Sequence, residues 1–387
     1  MAIRIGVLST LFGPFTELGR DGVRGVEMAV AEFNGRVAGK PIELIVEGTV
    51  GDPEGALSKT RKLIDKDKVD FIVGPLSGNE GLAIRQFALE HPDITFVNGT
   101  SGAQNLTHDV PNLFNFVVNG VQCVAGLGKY AYETLGFRRV VTLAENYSYP
   151  HAQIGGFMLE FCRAGGRVVN KFWVPLMTSD YREIINTLPG DIDAILVALG
   201  GSDAIHFLQQ YYDAGHKTPI LSGAITADQS VLSHRDLALD YLVGVISGGI
   251  TADDDPAPHW QKFVSTYQQM YSDRFNFPSY FALGYYANTK AALLGLEAIG
   301  GDLSGKQSRF QQALARVEFD GPCGHIKLDH HHQAITDTFV VVVEKDTDGT
   351  FYRKLVKRVE NVNYTLGLSE EEYDAMGMFT QDNPSCP

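Results

Sequence analysis

The sequence predicts an α/β protein made of two doubly wound halves. Three observations carry this. Strand-like apolar runs alternate with amphipathic helical stretches over most of the 387 residues, the pattern of parallel sheets covered by helices. A second set of alternations begins near Val124, with no Ser/Gly-rich linker before it. Two apolar runs, Val69-Asp70-Phe71-Ile72-Val73-Gly74-Pro75-Leu76-Ser77-Gly78-Asn79 and Ile94-Thr95-Phe96-Val97-Asn98-Gly99-Thr100-Ser101-Gly102, stop at Gly with Ser, Thr or Asn. A buried parallel strand reads this way where a loop leaves its carboxyl end.

The elements follow in order. Ile3 to Leu8 is a strand, and Gly22 to Phe33 a helix with Val23, Val26, Ala29, Val30 and Phe33 on one face. Ile42 to Val46 is a strand. Pro53 to Asp65 is a helix with Pro53 at its first position. Strand 71–73, helix 80–90 and strand 95–97 complete the first set. The second set has helix 124–135, strand 138–143, helix 154–164, strand 167–173, helix 181–188, strand 194–198, helix 203–214, and strands 220–222 and 242–248. Helices follow at 257–275, 280–299 and 308–315. Strands at 326–328, 338–344 and 352–358 read as antiparallel, with Asp348-Gly349 turning the last hairpin. Ser369-Glu370-Glu371-Glu372 begins like an N-capped helical turn.

The two strand ends place Ser77, Gly78 and Asn79 beside Thr100, Ser101 and Gly102. Hydroxyls and backbone N–H groups in a row at that edge suit a small anion, above all a carboxylate. Ordinary N-caps of the following helices are the other reading of the same residues. Two lobes of this kind imply a cleft, a common ligand position. Hydrophobic residues make up 44% and charged residues 20%, with a net charge of −14. The chain therefore reads as globular, and the charge opposes nucleic-acid or anionic-membrane binding, which need a basic footprint. No apolar run reaches the roughly 18–20 residues of a membrane span, so no direct membrane insertion is expected. Met1-Ala2 leads directly into the first strand. This reads as a cytosolic start or as a secreted protein whose signal has been removed.

None of the four cysteines forms a CxxC pair. Cys123 and Cys162 read as small core residues in helices. Cys323 and Cys386 lie among Gly and Pro, and a disulfide between them would staple the tail in an oxidising compartment. Asp329-His330-His331-His332 reads as a solvated turn, because neighbouring strand residues point to opposite faces. Thr251-Ala252-Asp253-Asp254-Asp255 lacks the spaced ligands and terminal Glu of a calcium loop. No dinucleotide fingerprint, Walker A motif or GxSxG elbow is present. The expectation is no enzyme, no metal and no cofactor.

These residues resemble the type I periplasmic binding proteins, specifically the branched-chain amino acid type of ABC-transporter substrate-binding protein. The resemblance lies in Ile5-Gly6-Val7-Leu8, Gly13-Pro14, Gly19-Arg20-Asp21-Gly22-Val23-Arg24-Gly25, Gly39-Lys40-Pro41-Ile42, Gly74-Pro75-Leu76-Ser77 and Phe319-Asp320-Gly321-Pro322-Cys323-Gly324, in that order and spacing. It runs to about residue 360. It implies two Rossmann-like lobes joined by a three-segment hinge with crossings near Asn119, Gly248 and Asp329. The N-terminal lobe would be 1–118 plus 249–329, the C-terminal lobe 119–248 plus 330–360, and 361–387 a tail. It also implies capture of a solute by hinge closure, delivery to a membrane permease, and a periplasmic location.

The resemblance assigns the ligand's carboxylate to Ser77-Gly78-Asn79 and Thr100-Ser101-Gly102. It assigns Tyr149 as the aromatic residue of the second lobe and Ser202 as the residue after a Gly-Gly pair. The acidic residue that holds an amino acid's ammonium group matches Ala224. A buried ammonium without an anion loses several kcal/mol of compensation, so Ala224 argues against a zwitterion unless Asp203 or Asp228 takes its place. Phe12, Phe15, Tyr147, Tyr149, Tyr280 and Phe281 are aromatics able to frame a ring. The expected ligand is an aromatic acid of the benzoate or hydroxybenzoate kind. Two alternatives stand beside it: an amino-acid-binding member of the family, and a cytosolic ligand sensor of the same fold.

Overall fold

The computed structural model describes residues 2–234 and 239–386. It divides into two compact units. Unit 1 is Met1–Asn119, Ala257–Arg274 and Phe281–Thr336, and unit 2 is Gly120–Pro256, Phe275–Tyr280 and Asp337–Pro387. The sheets mix parallel and antiparallel strands.

In unit 1 a six-stranded sheet runs Arg36–Val37, Lys40–Thr49, Ile3–Thr10, Phe71–Val73, Thr95–Val97, Leu113–Phe114. Only the first pair is antiparallel. Val7 lies opposite Val46 and Val73, Val73 opposite Val97, and Val97 opposite Phe114, so Phe71–Val73, Thr95–Val97 and Leu113–Phe114 finish level while Ile3–Thr10 and Lys40–Thr49 run three residues further. Ile3–Thr10, Phe71–Val73, Thr95–Val97 and Leu113–Phe114 are almost wholly buried, with Leu8, Ile72 and Phe96 packed against Ile84 and Phe87 of the helix Gly78–Glu90. The first helix runs Thr16–Glu32, one and a half turns earlier than its apolar spacing suggests. Glycines that lower helix propensity in isolation here let elements approach closely. A Cβ on Gly25 would stand 2.1 Å from the carbonyl oxygen of Ala282.

In unit 2 the parallel strands run Arg167–Val174, Arg139–Glu145, Ala194–Ala198, Ile220–Ser222, Ile246–Gly249. The last pairs antiparallel with Ala334–Lys345, on which Phe351–Val362 lies. The core here is Val141, Leu143, Ile195 and Val197 against Phe207, Leu208 and Tyr181. The helix Ser148–Arg163 begins six residues before its predicted start, across Tyr149 and Pro150. Proline in a first helical turn has no N–H to lose.

The chain passes between units after Asn119, Pro256 and Thr336, with a short segment, Phe275–Tyr280, also grouped with unit 2. The second and third of these fall at Pro256 and Thr336 and not near Gly248 and Asp329. The reason is that Ile246–Gly249 still pairs within unit 2, and Gly324–Leu328 pairs with the start of Ala334–Lys345 within unit 1. Asp329 closes the intervening turn by accepting from His331 N and Gln333 N.

Residues 361–387 are not a separate tail. Tyr364, Tyr373 and Phe379 pack with Val121 and Ala152. Ser369 and Glu372 form a capping box on the short helix Glu370–Asp374. The disulfide reading also needs correction. Cys386 is bonded to Cys162, with Cα atoms 5.5 Å apart and a sequence separation of 224. Cys323 is buried, takes no part in the disulfide, and its sulfur lies 3.5 Å from Thr336 Oγ1. Beside Cys386, Val168 N donates to its sulfur and Lys171 Nζ donates to the Pro384 carbonyl, which brings the chain end to Cys162.

Candidate functional site

In unit 1 the two strand ends meet as the sequence suggests. Gly74 has φ +134, and a Cβ there would stand 2.2 Å from the Leu8 carbonyl oxygen. Only glycine makes this turn. Ser77 follows as N-cap of the helix Gly78–Glu90. Its Oγ accepts from Glu80 N at 3.4 Å and donates to the Gly51 carbonyl at 3.3 Å. Glu80 Oε2 in turn accepts from Ser77 N and from Thr10 Oγ1, both at 3.1 Å. The capping reading of Ser77 therefore holds as well as its place at the edge.

Across the turn, Thr100 N donates to the Pro75 carbonyl and Thr100 Oγ1 to the Leu76 carbonyl. Ser101 N donates to Asn98 Oδ1, and Ser101 Oγ to the Gly78 carbonyl at 3.5 Å. The Ser101–Gly78 bond joins the two segments directly, and Thr100 is tied to Pro75 and Leu76, just before Ser77. The first N–H groups of the helix, at Gly78 and Asn79, lie at this edge, and the helix end carries partial positive charge. Glu80 beneath them is fully buried, and burial pushes its carboxyl above the usual range. Phe15 is buried at the turn Gly13–Phe15, whereas Phe12 is 59% exposed. Phe12 is thus a surface residue and not part of a buried frame.

In unit 2 the strand ends carry Glu145, Leu199, Gly223 and Gly249. Glu145 is buried, and its Oε1 accepts from Gly200 N at 3.0 Å. Burial, opposed by that bond and reinforced by Asp203, holds its carboxyl well above the ordinary value. Ser202 is half-buried, and its Oγ donates to Asp203 Oδ1 at 3.2 Å. Ala224 is buried, and its N–H donates to Gln153 Oε1 at 2.9 Å. Tyr149 and Tyr280 stand with ring centroids 6.3 Å apart, and Tyr149 Oη lies 3.8 Å from Cys123 Sγ. Burial, with Cys123 and Tyr280 adding to it, keeps the Tyr149 phenol protonated.

The two aspartates named as substitutes for the ammonium partner both have partners of their own. Asp203 Oδ2 accepts from Met177 N at 2.8 Å. Asp228 caps the helix Gln229–Leu232, accepts from Tyr280 N, and pairs with Arg353 at 2.9 Å. Arg353 also pairs with Asp253 at 2.8 Å, and all three side chains are buried. The acidic run near Asp253 is therefore an internal ion-pair partner and not only a solvated lead-in. Sequence reasoning missed Gln153, Glu145 and Glu80. Gln153 alone left a signal, since it lies four residues after Tyr149 and shares its helix face.

Two α/β units with sheets ending in such polar edges form the architecture of a solute-binding protein. The chain belongs to the type I periplasmic binding protein family: the model described as "Periplasmic binding protein" matches residues 2–349. An ABC transporter substrate-binding protein from Sphaerobacter thermophilus is 31% identical, covering 94% of this chain and 99% of that one, with a TM-score of 0.85. A solute-binding protein from R. palustris in complex with benzoate is 21% identical, with 94% and 98% coverage and a TM-score of 0.84. A leucine-binding protein from Thermotoga maritima is 21% identical, with 93% and 99% coverage and a TM-score of 0.81. Leu/Ile/Val-binding protein homolog 6 from Brucella melitensis is 21% identical over 364 residues, 92% of each chain. The chain is thus a substrate-binding protein of the ABC-transporter family, a family of solute carriers and not of enzymes. Among the described residues no helix is long and apolar enough to cross a membrane.

Proposed function

We propose that this protein captures a small aromatic carboxylate, of the benzoate or hydroxybenzoate kind, for an ABC importer. The carboxylate is held by Ser77, Gly78, Asn79, Thr100, Ser101 and Gly102. Phe15, Tyr149 and Tyr280 pack on the ring, and Ser202 and Ala224 are its remaining contacts. Ligand bound to both units favours the closed state of a hinge motion, because it gains contacts in that state alone. A periplasmic location and a membrane permease partner go with this role.

One observation carries the reading. Ala224 puts a methyl group where the resemblance expects an ammonium-binding acid, and Asp203 and Asp228 are already held by Met177, Tyr280 and Arg353. A zwitterionic amino acid would bury its ammonium without a counter-charge there. The benzoate-bound R. palustris relative supports the ligand class. The Leu/Ile/Val-binding names among the relatives keep amino acids as the second reading.

A thermal-shift panel tests it, because a ligand bound only by the folded state raises the melting temperature by mass action. Benzoate, 4-hydroxybenzoate, phenylacetate and cinnamate are compared with leucine, valine and phenylalanine. Shifts with the acids alone are expected. Shifts with the amino acids alone would replace this reading by the second.

A further inference from the structure

Gln153 sits on the helix Ser148–Arg163 and is 1% exposed. The Ala224 N–H donates to its Oε1 at 2.9 Å, which fixes the amide with its oxygen toward Ala224 and its nitrogen away. Gly223 leaves room for this arrangement, since a Cβ there would stand 2.4 Å from the same oxygen. The nitrogen, Nε2, is buried and has no hydrogen-bond partner among the described residues. A buried amide nitrogen left unmade is costly, and native proteins seldom leave one without a purpose or a bound group. The backbone N–H that orients this amide is that of Ala224, a residue assigned to the ligand.

We propose that Gln153 is a specificity-determining residue: its Nε2 donates to an acceptor oxygen carried on the ligand's ring. This rests on the aromatic-acid reading above and sharpens it. The favoured ligand is a hydroxylated aromatic acid. A phenolic oxygen accepts from Nε2 and fills the position, while a bare C–H or a methyl group leaves the donor unpaired. An ammonium group meets N–H donors of the same polarity and is rejected. Sites built to hydrogen-bond a ligand oxygen discriminate strongly against analogues that lack it.

Isothermal titration of the full chain with benzoate, 4-methylbenzoate, 4-hydroxybenzoate and leucine tests this, repeated on Gln153→Met. The wild type should prefer 4-hydroxybenzoate to 4-methylbenzoate by about tenfold or more, and Gln153→Met should reduce that ratio to within about threefold. Gln153→Leu serves if Gln153→Met does not fold. Equal wild-type affinity for the hydroxyl and methyl compounds overturns the inference and leaves the aromatic-acid reading standing. So does a hydroxyl preference that survives the substitution, which would make Gln153 a structural residue paired with water. Leucine binding without any aromatic-acid binding overturns both.

Discussion

Removing the Ser77 hydroxyl should separate its two roles. Ser77 Oγ accepts from Glu80 N at 3.4 Å and donates to the Gly51 carbonyl at 3.3 Å. The reciprocal bond, from Ser77 N to Glu80 Oε2, needs no side chain at position 77 and survives. Ser77→Ala therefore loses the cap and the bond to Gly51, at a cost of about 1 kcal/mol. For a unit of this size that is a fall of roughly 2–4 °C in melting temperature. Ser77→Gly gives up the same hydroxyl but costs only a few tenths of a kcal/mol at an N-cap. A hydroxyl that also meets a ligand carboxylate contributes about 1–2 kcal/mol, roughly 5–30-fold in affinity. Both variants should then bind more weakly, while Ser77→Ala alone melts lower by the larger amount. Thermal melts and titration calorimetry on the two proteins read this directly. Wild-type affinity in Ser77→Gly would refute the ligand contact. Wild-type stability in Ser77→Ala would refute the capping account.

Other substitutions follow from the same geometry. Arg353→Met leaves Asp228 and Asp253 buried without their counter-charge and should cost about 3–5 kcal/mol, read as a lower urea midpoint. Burial raises the folded-state carboxyl of Glu145 above its unfolded value, so its contribution to stability is present below the unfolded carboxyl range and is lost as pH rises through the folded value. Glu145→Gln imitates the neutral form and should match the wild type at about pH 4 and exceed it at about pH 8 in urea midpoint. Reduction of Cys162–Cys386, or Cys386→Ser, should cost about 2–4 kcal/mol, while Cys323→Ser should leave the non-reducing peptide map unchanged.

The buried parallel strands were the most legible part of the chain. Phe71–Val73, Thr95–Val97, Ala194–Ala198 and Ile220–Ser222 have the bounds read from sequence. Each is a continuous apolar run cut off by Gly, Asn or a polar residue, which leaves little ambiguity. Helix starts were less legible where Gly or Pro stands inside the first turns, at Thr16–Glu32 and Ser148–Arg163. Those residues are tolerated for reasons of packing that propensity does not contain. Ala334–Lys345 and Phe351–Val362 extend beyond their apolar centres because ladder bonds continue through polar residues. The Cys162–Cys386 bond joins residues 224 apart, and only the packing of Phe379 and its neighbours brings them together. At the polar edges, Ser77, Thr100 and Ala224 carry a resemblance in local sequence. Gln153 and Glu145 reach the same edges from elements distant in the chain and show their role only once Ala224 and Gly200 are in place.

The central claim is that the ligand is an aromatic acid. Direct calorimetric titration of the full chain with 4-hydroxybenzoate and with leucine tests it most directly. The account predicts saturable binding of 4-hydroxybenzoate, at micromolar affinity worth roughly 8 kcal/mol, and no heat from leucine. Saturable binding of leucine with none of the aromatic acid would contradict it and would require an ammonium partner other than Ala224, Asp203 or Asp228.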